Sequence, residues 1–215
     1  MLQTSTVEKK TFELLKQLMN DEQLSDFILA GGTNLALQIG HRKSYDLDMF
    51  PNISFNANKL EQYLIEKYGF VRQRVTEKDT VVGFIEDVKV DFVAHLYPLL
   101  QEPIVEDGIR LYSLPDIASM KLVAISDSGK RLKDFVDLAY LSTRMSLRQM
   151  LESYAAKYIG GSPIHAARGF GFFEDIKFDT EIDLCNGKKF EWKKIEKRIS
   201  EMFKYETKIF ETEPI

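Results

Sequence analysis

Cysteine is almost missing: Cys185 is the single one in 215 residues. That excludes an intramolecular disulfide framework and any metal site built from several thiolates. It also points to a reducing compartment, so a cytoplasmic location is expected. No apolar run approaches the roughly 20 residues a membrane-spanning helix needs. Met1 to Lys10 mixes Thr, Glu and Lys and does not read as a secretory leader. Positive charge is not in excess, since 29 Lys and Arg face 33 Asp and Glu for a formal net charge of −4. That balance argues against a chain coated with nucleic acid and leaves room for local basic patches. There is no internal repeat, no low-complexity linker and no Gly-Lys-Ser/Thr of a Walker phosphate loop. What remains is an ordinary apolar fraction of 44%, enough for a sizeable core without disulfides.

The periodicity predicts a helix over Glu8–Met19, with Phe12, Leu15, Leu18 and Met19 on one face. Phe27–Ala30 reads as a short buried strand running into Gly31-Gly32, and Thr33–Ile39 as a short helix closed by Gly40. Tyr45–Phe50 is a second strand and Ala57–Lys67 a helix. Strands are expected over Phe70–Val75, Val81–Ile85 and Val88–His95, with Arg110–Tyr112 a further candidate. From Ser113, which has capping-box spacing to Asp116, the pattern is helical: Leu114–Ser126, Lys133–Thr143, Leu147–Lys157 and Trp192–Phe203. The reading is an α+β core over residues 1–112 followed by a helical half over 113–215, packed on it.

The chemistry concentrates in Tyr45-Asp46-Leu47-Asp48-Met49-Phe50. A strand places residues i and i+2 on one face, so Asp46 and Asp48 point together. Neighbouring carboxylates raise each other's pKa unless a cation lies between them. Mg²⁺, or Mn²⁺ in its place, is the natural partner of carboxylates that also handle phosphate. Asp91, alone among the apolar residues of Lys89–Ala94, would complete a two-metal site. The bland alternative is a set of acids facing water.

Two glycines, Gly31 and Gly32, let backbone approach a phosphate at a helix N-terminus, where unpaired N–H groups and the dipole favour anions. Thr33 can add a hydroxyl, and Arg42 can clamp phosphate or orient a carboxylate. Lys121 is the single charge in Ile117–Ile125 and must either snorkel or find an anion. Asp134 and Asp137 share a helix face, with Asp137 a candidate partner for Lys121 or Arg131. Lys188, Lys189, Lys193, Lys194, Lys197 and Arg198 form a basic cluster, either a solvated face or a contact for RNA or a protein partner.

Gly31-Gly32-Thr33 followed by Gly40-His41-Arg42-x-Ser44-x-Asp46-Leu47-Asp48-Met49-Phe50 resembles the AbiEii/AbiGii-type nucleotidyltransferase toxin family. Lys121 with Lys133-Asp134-Phe135-x-Asp137-Leu138 is similar to that family's fourth motif, and Gly169–Asp175 with Trp192 to its C-terminal region. One departure is Ser128 before Gly129, where the family often carries Arg; Lys130 and Arg131 follow. The resemblance implies a polymerase-β-like nucleotidyltransferase core with a mixed sheet and a helical C-terminal half. It implies NTP and Mg²⁺ as ligands, an acceptor that is RNA such as tRNA or a protein, and a cognate antitoxin. On it, Asp46, Asp48 and Asp91 hold metal, Lys121 joins them in catalysis, and Gly31, Gly32, Thr33, Arg42, Ser44, Lys121 and Asp134 bind nucleotide. The competing expectation is a binding module that keeps the fold without the chemistry; three intact acids weigh against it.

Overall fold

The computed structural model describes residues 1–215, the side chain of Asn186 excepted. Helix α1 (Lys9–Met19) buries Leu14, Leu15, Leu18 and Met19 along one stripe. Strand β1 (Ile28–Leu29) is followed after Ala30 by α2 (Gly31–Ile39), and β2 (Leu47–Phe50) by α3 (Ala57–Tyr68). The α3 ends are set locally. The Asn56 side chain accepts from the Lys59 amide, and Gly69 closes the helix in the left-handed conformation that glycine adopts without penalty.

Strands β3 (Val71–Arg72), β4 (Thr80–Ile85), β5 (Val88–Val93), β6 (Ile104–Glu106) and β7 (Ile109–Leu111) complete one seven-stranded sheet in the order β3-β4-β5-β2-β1-β7-β6. The β4–β5 turn puts Glu86 and Asp87 at φ 49° and 67°, and the β6–β7 turn puts Asp107 and Gly108 at 52° and 77°. Positive φ at both central residues is the turn whose twist matches a hairpin. The sheet is mixed as expected: β1–β7 and β2–β5 run parallel, the other pairs antiparallel. Strand β6 was not anticipated, and β2 starts two residues later than read. Ser44 instead pairs with Val7, and Tyr45 and Asp46 lie ahead of the strand.

Helices α4 (Leu114–Ser128), α5 (Leu132–Leu141), α6 (Leu147–Lys157), α7 (Pro163–Phe170) and α8 (Trp192–Lys204) follow. Helix α7 escaped the periodicity reading because it spans only eight residues. Its signal was nevertheless present: Ser162 caps it and Pro163 opens it. None of these described helices is long and apolar enough to cross a membrane.

The chain divides into two compact units, Met1–Gln38 with Ser44–Tyr112, and Ile39–Lys43 with Ser113–Ile215. In the first, Leu47, Met49, Val81, Val90 and Phe92 of the sheet join Leu15 and Leu18 of α1 and Leu64 of α3 in one core. In the second, Phe135, Phe173 and Trp192 meet edge to face. There too Lys157 Nζ lies 2.7 Å from Asp116 Oδ1, both side chains fully buried.

Candidate active site

Alternation along β2 buries Leu47 and Met49 and leaves Asp48 and Phe50 half-buried on the other face. Alternation along β5 does the same with Val90 and Phe92 against Lys89 and Asp91. The strands are parallel neighbours and Asp48 is the register partner of Asp91, so the two carboxylates share one face. Lys89, two residues before Asp91, sits on that face too, and its ammonium lies 2.6 Å from Asp91 Oδ2. The second oxygen, Oδ1, is buried without a hydrogen-bond partner. A buried carboxylate oxygen left unpaired costs free energy, and a hard cation is a group that would satisfy it.

Gly31 supplies the other wall. It sits at φ +64°, and a Cβ built on it would lie 1.8 Å from Asp48 Oδ2. Asp48 therefore approaches the first residue of α2 as closely as it does only because residue 31 has no side chain. Thr33 is fully buried, and its hydroxyl reaches the Ser44 hydroxyl at 2.8 Å and the Asp46 carbonyl. Thr33 and Ser44 thus hold the backbone leading into β2 rather than standing open to a phosphate. Asp46 is exposed and lies just outside the strand. Among the described residues, no three carboxylate, imidazole or thiol groups stand together as a finished metal cluster. The donors that fit a divalent cation are the oxygens of Asp48 and Asp91, with exposed Asp46 two residues along the chain.

The second unit holds a charge network centred on Asp137, which is fully buried. Arg42 donates to it twice, Nε to Oδ1 at 2.7 Å and Nη2 to Oδ2 at 2.8 Å. His41 Nε2 lies 2.7 Å from Oδ1, and Lys121 Nζ 2.5 Å from Oδ2. Lys121 also donates to Asp134 at 3.0 Å. The expectation of a Lys121 ammonium turned to a triphosphate, with Arg42 as a phosphate clamp, meets a different geometry. Both cations are buried and committed to carboxylates, because an unpaired charge there would be far costlier than a paired one. Of the two partners expected for Asp137, Lys121 and Arg131, it is Lys121 that pairs with it, while Arg131 stands beside Asp134.

The network fixes its own protonation. Burial works against the charged form of Asp137, but the Arg42 and Lys121 charges and the His41 bond outweigh it and hold the carboxyl well below the carboxylate range. Burial pushes His41 down despite Asp137 beside it, and its Nδ1 has no hydrogen-bond partner. Burial opposes the Lys121 ammonium too, yet Asp137 and Asp134 raise it. The signs predict a stability profile. The unfolded chain protonates His41 below pH 6.5 and Asp137 below pH 3.8 while the folded chain resists both, so stability falls as pH drops through each window. Above pH 10.5 the unfolded chain loses the Lys121 proton that the folded chain keeps, and stability falls again. Urea midpoints across pH should show this plateau, and His41→Gln, which keeps a donor, should flatten the decline that begins at pH 6.5. An unchanged decline would assign it to other groups.

A cavity of about 460 Å³ lies at the start of α5, lined by Lys130, Arg131, Lys133 and Lys177 with Asp179 as the single acid of its wall. Backbone pairing of Arg131 with Lys177 shapes it. The C-terminal basic cluster is less available than its composition suggests. Arg198 is buried, donating to Ser142 Oγ at 3.0 Å and the Thr212 carbonyl at 2.8 Å, while Lys188 and Lys194 pair with Glu213 and Glu191.

Residues 13–206 match the family model described as nucleotidyl transferase AbiEii toxin, Type IV TA system. The chain belongs to this family. It is therefore a nucleotidyltransferase of the type IV toxin–antitoxin class, which implies an antitoxin partner. An uncharacterized protein of Aquifex aeolicus (strain VF5) is 32% identical over 184 residues, covering 83% of this chain and 88% of that protein. Two crystal structures share the fold. One, from H. pylori, is assigned as a nucleotidyltransferase (TM-score 0.53, 16% identity, 92% of this chain and 95% of that one). The other is JHP933 from Helicobacter pylori (TM-score 0.52, 18% identity, 93% and 92%). The α+β core with a mixed sheet, expected from the motif resemblance, is thus the fold the chain has.

Within this nucleotidyltransferase, Asn34 and Lys89 carry structure that the motif reading passed over. Buried Asn34 Nδ2 donates to the carbonyls of Leu29 at 2.6 Å and Tyr112 at 3.1 Å, tying the glycine turn to the strand ends. Lys89 was legible, since i and i+2 share a strand face; Asn34 was not, because its partner carbonyl is 78 residues away. Gly31→Ala should be among the most damaging single changes to this turn. The left-handed backbone costs an alanine about 1–2 kcal/mol, and its Cβ displaces the Asp48 carboxylate. On the reading that an NTP and a divalent cation bind at Asp48, that binding should be lost while the chain still folds, read by calorimetry and circular dichroism. Wild-type binding by Gly31→Ala would show that the close approach to Asp48 is dispensable.

Proposed function

We propose that this chain is the Mg²⁺-dependent toxin of its system and transfers a nucleotide from an NTP to an RNA acceptor, with tRNA the first candidate. The observation that carries the reading is the register pairing of Asp48 with Asp91 on one sheet face, with the buried Asp91 Oδ1 unpartnered. Asp48 and Asp91 would hold the cation, with Asp46 as the third carboxylate of the set. A divalent cation held there would neutralise phosphate charge and lower the pKa of the acceptor hydroxyl. The acceptor oxygen bonds to the α-phosphorus, the bond to pyrophosphate breaks and pyrophosphate leaves with its electron pair, and the hydroxyl proton passes to a carboxylate oxygen of Asp91. Gly31 and Gly32 offer the phosphates the backbone of the α2 N-terminus. Thr33 and Ser44 hold the chain entering β2. Arg42, Lys121 and Asp134 belong to the buried network around Asp137 and hold the second unit together.

An RNA acceptor is favoured by the cation-lined cavity at Lys130, Arg131, Lys133 and Lys177, since clustered Lys and Arg reward a phosphate backbone. The decisive experiment supplies each labelled NTP with Mg²⁺ and total RNA. Label should appear on RNA, vanish with a chelator, and weaken with added salt. Label on protein would redirect the acceptor assignment. Metal-independent NTP binding with no transfer would replace the enzyme reading with a binding module.

A further inference from the structure

The face of β2 that carries Asp48 also carries Phe50, two residues on and about 7 Å along the strand. Where β5 ends, the chain brings a second ring beside it: the His95 amide donates to the Pro51 carbonyl at 2.8 Å. The Phe50 and His95 rings stack with centroids 6.4 Å apart and planes 25° apart. Tyr97 follows, its ring centroid 4.9 Å from His95. Tyr112, fully buried, supports His95 edge-on at 6.5 Å, and its hydroxyl donates to the Phe50 carbonyl at 3.2 Å. The shelf is thus anchored from below, while Tyr97 stays 46% exposed. An exposed aromatic beside two half-buried rings is hard to explain as core packing. It adjoins the strand that carries the acids and belongs to the same unit.

We infer that Phe50, His95 and Tyr97 form a base-stacking shelf that holds the nucleobase of the NTP whose phosphates lie at Asp48 and Asp91. This rests on the nucleotidyl-transfer reading and extends it to the nucleoside end of the same substrate. The phosphates need the carboxylate end, where the cation belongs. The base needs a flat apolar surface with π faces; Phe50 lies on the strand face of Asp48, and His95 and Tyr97 stand beside it in the segment that leaves β5. Stacking tolerates any base, since every base has a π face. The shelf therefore predicts tighter binding of purines than of pyrimidines through larger overlap, without strict selection.

Binding of two probes separates the parts. With Mg²⁺ present, ATP and inorganic triphosphate are titrated into the wild-type chain, Tyr97→Ala and Tyr97→Phe. Tyr97 is exposed, so the variants should fold normally. Tyr97→Ala should weaken ATP binding about tenfold, the scale of one base–aromatic stack. It should leave triphosphate binding unchanged, and Tyr97→Phe should retain wild-type affinity for both. Equal ATP binding by wild type and Tyr97→Ala, or an equal loss for both probes, overturns the shelf while leaving the carboxylate site standing. A wild-type chain that binds neither probe overturns the transfer reading itself, and the shelf with it.

Discussion

Asp48→Asn should reduce labelled-nucleotide transfer on the order of a thousandfold while leaving the metal-free fold as stable as wild type, or slightly more so. Cation chemistry of this kind supplies several kcal/mol of charge stabilisation in the transition state, and each 1.36 kcal/mol is about tenfold in rate. Asn keeps the shape of the side chain against Gly31 and removes the charge. It also removes the repulsion between two carboxylates facing each other across β2 and β5. Chemical denaturation and transfer assays on the same preparation separate the effects. Asp91→Asn should behave alike in transfer but gain less stability, because Lys89 already offsets part of its charge. Near-wild-type transfer by Asp48→Asn would remove the carboxylate pair from the mechanism. A large drop in its stability would make Asp48 a structural residue.

Asp137→Ala should cost about 3–5 kcal/mol of stability, the penalty for leaving a buried charge without its partner. Lys121 would keep Asp134, Arg42 would lose the carboxylate it donates to twice, and the His41 ring would lose its partner. The loss should appear as a lower urea midpoint. The double change Lys121→Met with Asp134→Leu removes one charge of each sign and keeps the Arg42–Asp137 pair. It should therefore be less damaging than Asp137→Ala. A change below about 1 kcal/mol for Asp137→Ala would mean that water or neighbouring groups screen the network.

Much of the candidate site was visible in one dimension. The alternation of Leu47–Phe50 and Val88–Val93 fixes which side chains face together, because a strand's period is two whatever its surroundings; Asp46, read as sharing the face of Asp48, lies just outside the strand. Strand–glycine–helix order placed Gly31 in the turn ahead of α2, which in the structure opens two residues earlier than read, at Gly31 itself; the caps at Asn56, Ser113 and Ser162 are local devices readable within four residues. The same locality explains the misses. Strand β6 is three residues of edge strand made by a hairpin turn, and α7 is too short for periodicity to register.

The sequence by itself determined the charges, the faces of the strands, the glycine turn and the motif order that marks the family. Only the tertiary structure decided which strand lies beside which. The register of β2 against β5 joins Asp48 to Asp91 across more than forty residues, and no local period encodes that pairing. Tertiary structure also decided the fate of the cations. A sequence shows that Lys121 and Arg42 are charged and that their neighbours are apolar. Whether such a charge reaches a ligand or is consumed by a buried carboxylate depends on the partner that folding brings within 3 Å. Here Asp134 and Asp137 arrive first, since desolvation makes an unpaired charge too unfavourable to leave waiting.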